Sequence, residues 1–257
     1  MKAVSPRRSF LVIIPVVLAA FLSACGGGGG GSSTGGASTP TPTPAAVINQ
    51  WTWVSGSNVA NASGTYGTQG TAAAANVPGA RYSPASWIDA SGNHWLFGGS
   101  GYDSAGTVGD LNDLWKFDGT HWTWVSGSNT ATAKGVYGTQ GIAAAANVPG
   151  ARAYAVSWID ANGNFWLFGG NGYDSAGTSG NLNDLWKFDG THWTWVSGSN
   201  TVNASGVYGT KGAAAAANVP GARGYAASWI DGWFFGGYGN DSTGAVGDLN
   251  DLWKYQP

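Results

Sequence analysis

Between residues 51 and 257, apolar residues alternate with polar ones in short runs, and the whole arrangement of runs returns every 71 residues. In the second copy the runs are YAVSWID (154–160), FWLFGG (165–170), DLWKFD (184–189) and HWTWVSG (192–198). Period-two alternation, rich in aromatic and β-branched residues and bounded by Gly, Asn and Asp, predicts half-buried strands. ANGN (161–164) and DGT (189–191) are tight-hairpin signals, so each copy reads as four antiparallel strands. The register is set by Trp51, Trp122 and Trp193, and by Arg81, Arg152 and Arg223, each 71 residues apart. The third copy shortens WIDANGNFWLFGG to WIDGWFFGG and loses four residues, so Leu114, Leu185 and Leu252 are spaced 71 and then 67.

Repeated four-stranded antiparallel units describe propeller blades. The chain resembles the kelch-repeat family of β-propellers, including the kelch-like central domain of galactose oxidase. The resemblance covers 51–257 and is carried by the paired glycines Gly98-Gly99, Gly169-Gly170 and Gly236-Gly237, followed by LNDLWKF or its variant and then WTW. It implies an all-β fold of three four-stranded blades. The unit exceeds the roughly 50 residues of a kelch repeat, and the excess is best placed at SNTATAKGVYGTQGIAAAANVPGA (128–151). Because the chain opens on an outer-strand sequence, WTWV (51–54), and closes on LWKYQP, the N-terminal strand is expected to complete the last blade. Three blades are fewer than the usual four to eight. A wet face of about 400 Å² forfeits up to about 10 kcal/mol, so two chains joining into a six-bladed homodimer are expected; a tight three-blade closure and a gene fragment are the alternatives.

All fifteen tryptophans fall in the strand pattern, five to a unit once Trp51 and Trp53 are counted with the last blade. This assigns most of them to packing between blades, where each buries about 150–250 Å².

Residues 1–25 have the charged start, apolar middle and small-residue end of an export signal. The apolar run of about 15 residues is shorter than the roughly 20 of a spanning helix. LSAC (22–25) resembles the lipobox of bacterial lipoproteins, which implies lipidation of Cys25, the only cysteine. Residues 26–47 read as a Gly/Ser coil and an extended Thr-Pro run, and 48–257 as the repeat domain. The expected location is the outer membrane or cell surface, through the lipid anchor. Three of the eleven cations lie in the signal, leaving eight against thirteen acids, all Asp. That balance argues against nucleic acid as a partner.

In a propeller the first strand lines the central channel and the long loops share one face, which is the expected binding surface. The long segments are 171–181 and the insertions at about 55–80, 126–151 and 197–222. Arg81, Arg152 and Arg223 stand where each insertion meets the innermost strand. Arg suits carboxylate recognition, and comparable arginines contact ligands in some kelch proteins; the alternative is that each pairs with Asp or loop carbonyls to pin the blade junction. Tyr66, Tyr137 and Tyr208 repeat inside the insertions, and Tyr102 and Tyr173 lie in the other loops, as ligand contacts or as rim packing. Asp103, Asp110 and Asp113 do not have EF-hand spacing, and no metal or cofactor is expected. A galactose oxidase-like copper site needs a Tyr–Cys link, whereas Cys25 is the anchor; His94, His121 and His192 form no cluster, and no nucleophile elbow occurs. The expected function is a non-catalytic, lipid-anchored binding or adhesion module for an envelope glycan or protein. A structural or assembly protein and a degenerate oxidase are the alternatives.

Overall fold

Three antiparallel sheets follow one another along the chain. The computed structural model describes residues 49–257; the expected signal (1–25), Cys25 and the linker (26–47) lie outside the described residues. Thr52–Pro257 form one unit. The first sheet contains β1 (Arg81–Tyr82), β2 (Ala85–Ile88), β3 (His94–Tyr102), β4 (Val108–Phe117) and β5 (Trp122–Ser126). The second repeats it as β6 (Arg152–Ala153), β7 (Val156–Ile159), β8 (Phe165–Tyr173), β9 (Ser179–Phe188) and β10 (Trp193–Ser197). The third has β11 (Arg223–Gly224), β12 (Ala227–Ser228), β13 (Trp233–Asn240) and β14 (Val246–Lys254). No helix occurs among the described residues.

The innermost strand of each sheet is two short pieces, both paired with the same neighbour, as β1 and β2 are with β3. The interruption falls at a non-glycine residue in the left-handed region: Ser83 (φ 51), Tyr154 (φ 60) and Tyr225 (φ 64). The second and third strands are longer than the pattern predicts. β8 and β9 run through most of 171–181, which reduces that expected long loop to the turn 174–178.

The glycine pairs sit within strands rather than ending them. The register of β8 against β9 shifts between Phe168 and Gly170, a bulge absorbed by Gly169 (φ 62) and Gly170 (φ 99). A Cβ at Gly169 would lie 2.7 Å from the Arg223 carbonyl oxygen of the next sheet and 2.9 Å from that of Leu182. Left-handed geometry costs an alanine about 1–2 kcal/mol and overpacking about 1–3 kcal/mol. Gly169→Ala is therefore expected to lower stability by about 2–5 kcal/mol, read from the shift of the urea midpoint at unchanged slope.

Adjacent sheets pack face to face through two aromatic cores. The back of the first sheet (Ala85, Trp87, Trp95, Phe97, Leu114) meets the front of the second (Phe165, Leu167, Trp186, Phe188, Trp193). The back of the second (Val156, Trp158, Trp166, Phe168, Leu185) meets Phe234, Trp253 and Tyr255 of the third. Trp87 and Phe165 stack at 5.3 Å between centroids, and the Trp87 indole N–H donates to the Trp158 carbonyl at 3.1 Å. The tryptophans within these cores pack as the pattern predicts, but those at the end of the series do not: Trp229 and Trp233 on the third sheet are exposed, as are Trp51 and Trp53.

The expected completion of the last sheet by WTWV does not occur within the chain. Residues 51–54 form no strand, and β14 pairs only with β13 among the described residues.

Candidate functional site

The residues singled out by the repeat assemble into one buried unit per sheet. In the second, Arg152 makes a bidentate pair with Asp184 (Nη1–Oδ1 and Nη2–Oδ2, both 2.7 Å) and donates to the carbonyls of Gly169 and Gly150 at 3.0 Å. The Tyr137 hydroxyl and the Trp186 indole N–H both donate to Asp184 Oδ2, at 2.6 and 2.7 Å. Arg81–Asp113–Tyr66–Trp115 and Arg223–Asp251–Tyr208–Trp253 repeat the arrangement. Tyr66 and Tyr137 are brought in from the insertions and pack on Trp115 and Trp186, with centroids 4.8 and 4.9 Å apart. Arg152 and Arg223 are each 1% exposed.

Arg81, Arg152 and Arg223, expected as ligand contacts, thus face inward in ion pairs, with Tyr66 and Tyr137 buried beside them and Tyr208 half-buried. The guanidinium groups are spent on Asp and on loop and strand carbonyls, the alternative that the sequence left open. Burial opposes charge on Arg81 and Arg152, but the carboxylates outweigh it and raise both. Burial, then the Asp113 and Asp184 charges, push the Tyr66 and Tyr137 hydroxyls far above the usual tyrosine range, so both remain donors.

Burial also works against the Asp251 carboxylate, but donors from Arg223, Tyr208 and Trp253 hold its pKa at about 2. An unfolded Asp titrates near 3.9. The folded value is the lower one, so the contribution is present above about pH 4 and is lost as pH falls through about 2. Thermal unfolding of Asp251→Asn is expected to show a lower plateau at neutral pH and a shallower fall between pH 4 and 2 than the parent chain.

A second constellation, not singled out from the sequence, lies where the inner strands are interrupted. Tyr154 and Tyr225, two residues beyond their arginines, stack with centroids 3.8 Å apart, and Tyr82 lies 6.1 Å from Tyr154. Backbone bonds from Tyr154 N to Ser83 O and from Tyr225 N to Tyr154 O, each 3.2 Å, tie the three inner edges into one row. Tyr82 and Tyr225 are exposed and Tyr154 is half-buried. Beside the row, burial raises Asp110, with a bond from Ser100 opposing it. Burial likewise raises the Tyr225 hydroxyl, with Tyr154, Tyr82 and the Asp110 charge adding to the effect. An open hollow of about 540 Å³ adjoins the row, lined by Tyr225, Gly237, Tyr238, Asp248 and Leu249. A sequence signal existed: an aromatic directly follows Arg81 or stands two places after Arg152 and Arg223. The positive φ of Tyr154 and Tyr225 is not readable from residue type.

Tyr102 and Tyr173 end β3 and β8 and are half-buried, outside this row. Asp103 Oδ1 accepts from the backbone of Ala105 and Thr107, and its Oδ2 from Ala131 across the loop. Burial is the largest influence on it, but these bonds outweigh burial and lower its pKa. Asp103 is thus engaged in closing its turn. Among the described residues, no three His, Cys, Asp or Glu side chains gather as a metal site.

No family model matches the chain, and no curated protein matches it. Among solved structures it is similar to one described as "Structure of YjhT", at 18% identity and a TM-score of 0.38, over 70% of this chain and 54% of that one. The chain spans about half the length of that neighbour.

Proposed function

We propose that this chain is a non-catalytic, kelch-type binding module held at the cell envelope by a lipid on Cys25, and that its ligand surface is the inner-edge tyrosine row. The observation that carries this reading is the pair Tyr154 and Tyr225, two bulky residues in left-handed geometry. Such backbone costs on the order of 1–3 kcal/mol and persists where the surroundings enforce it, most often at functional sites. Tyrosine faces offer apolar contact, and their hydroxyls offer hydrogen bonds. Asp110 and Asp248 add acceptors, while the arginines nearest the row are consumed in buried pairs. This chemistry favours an uncharged or cationic polyhydroxylated ligand, a neutral envelope glycan, over an anionic one.

The purely structural reading keeps one observation in its favour: every repeated Arg–Asp–Tyr unit is turned inward. A panel of neutral and acidic glycans, probed with the parent chain and with Tyr154→Asn/Tyr225→Asn, separates the two. Binding of neutral glycans that the double variant loses supports recognition. Absence of binding by the parent, or equal binding by both chains, removes the tyrosine row from consideration.

A further inference from the structure

Both ends of the series of sheets present the same kind of face that is buried between its members. Trp158, Phe168 and Leu185 on the back of the second sheet are 5%, 3% and 3% exposed, whereas their counterparts Trp229, Phe235 and Leu252 on the third are 54%, 43% and 57% exposed. At the other end, Ile88 is exposed and Leu96, Phe117 and Trp122 are half-buried. Their counterparts Ile159, Leu167, Phe188 and Trp193 lie in or against the first core. The open back thus matches, residue for residue, surfaces that already pack against a front of the open type.

The third insertion carries a further unfilled set of contacts. In the first two sheets the insertion grips the outer strand three times. Asn76 and Asn147 donate to the carbonyls of Trp122 and Trp193 at 3.1 Å. Gly70 N and Gly141 N donate to those of Trp124 and Trp195 at 2.8 Å. Ala73 and Ala144 bridge to Trp122 and Trp193. The third insertion has Asn218, Gly212 and Ala215 at the same places, but Asn218 reaches only Ala213, within its own loop. The outer-strand sequence that fits these contacts, WTWVS, stands at 51–55, where Trp53 and Val54 are exposed.

We propose that a second copy of this chain covers both open faces head to tail, and that the two copies exchange residues 51–55 as outer strands of each other's third sheet. Because 51–55 lead directly into the insertion that grips the outer strand of the first sheet and sets Tyr66 against Trp115, the exchanged strand and the docked face belong to one continuous surface. A heterologous contact of this kind forms a closed ring when its rotation permits, and six units fall within the usual range for propellers. Each junction covers two faces of about 400 Å². Two junctions bury on the order of 1,600 Å², the size of a standard stable interface.

The register names the test. Thr123 faces Lys116 and Thr194 faces Lys187 across β5–β4 and β10–β9, so Thr52 of one copy should face Lys254 of the other. Facing residues lie about 4.5–5.5 Å apart at Cα, within disulfide reach. Full-length chains carrying Cys25→Ser and either Thr52→Cys or Lys254→Cys are co-expressed and oxidised in detergent. The expected result is a reducible heterodimer formed by the mixed pair and not by either chain alone, with light scattering of the unsubstituted chain giving twice its protein mass. Trp229→Lys is expected to weaken association at least tenfold. The proposal is overturned by a single-chain mass, by an open series of larger masses, by no cross-link in the mixed pair, or by a link within one chain when both cysteines are placed together.

Discussion

Arg152→Ala is expected to cost about 3–5 kcal/mol, the penalty for leaving a buried charge without its partner. That is a large part of the 5–15 kcal/mol by which domains are stable at all. Asp184, 0% exposed, would keep its donors from Tyr137 and Trp186 but lose both guanidinium bonds, while the carbonyls of Gly150 and Gly169 lose theirs. The middle sheet should be the most sensitive, because Asp251 in the third retains 17% side-chain exposure and water can reach it. Arg223→Ala is therefore expected to cost less than Arg152→Ala. Replacing both charges, as Arg152→Met/Asp184→Leu, should recover part of the loss, since the uncompensated charge disappears while the Tyr137 hydroxyl, the Trp186 indole N–H and the two carbonyls lose their partners. Urea unfolding of the three variants reads this order directly; a cost below about 1 kcal/mol for Arg152→Ala would show the pair to be ornamental.

The parts of this fold legible in the sequence are those with local causes. Alternation located the strands, Asn-Gly and Asp-Gly located the hairpins, and the 71-residue period placed equivalent residues on equivalent faces. The spacing also put Arg152 at the junction of insertion and inner strand, where the structure has it. What spacing could not supply was the partner: Asp184 lies 32 residues away, and only the pairing of β6 with β8 and of β8 with β9 brings it under the guanidinium. The run FWLFGG predicts a strand that stops at its glycine pair, whereas β8 continues to Tyr173, because glycine marks both a terminus and a bulge. The difference is tertiary, set by a neighbouring carbonyl that leaves no room for a Cβ. WTWV reads as an outer strand, yet residues 51–54 form none, since a sequence states what a segment would pair like and not whether an edge is within its reach. Tyr154 and Tyr225 are not marked out by residue type, because what distinguishes them is a dihedral angle.

That dihedral angle makes the tyrosine row the most informative place to separate stability from recognition. Asparagine enters the left-handed region several times more readily than a bulky residue, so Tyr154→Asn/Tyr225→Asn relieves about 1–2 kcal/mol of backbone cost at each site. The change also removes a stacked pair worth about 0.5–1.5 kcal/mol beyond its burial, together with the contact to Tyr82. The two effects oppose each other, and the double variant should unfold within about 1 kcal/mol of the parent. Binding has no such compensation. Losing two aromatic contacts at about 0.5–1.5 kcal/mol each should weaken a neutral glycan roughly ten- to a hundredfold, since 1.4 kcal/mol is a factor of ten. A core residue behaves in the opposite way: Trp186→Ala should lose about 3–5 kcal/mol of stability before any question of binding arises. If the double asparagine variant instead unfolds several kcal/mol earlier, the rings are holding three inner edges together, and the left-handed geometry is the cost of that junction rather than the mark of a site.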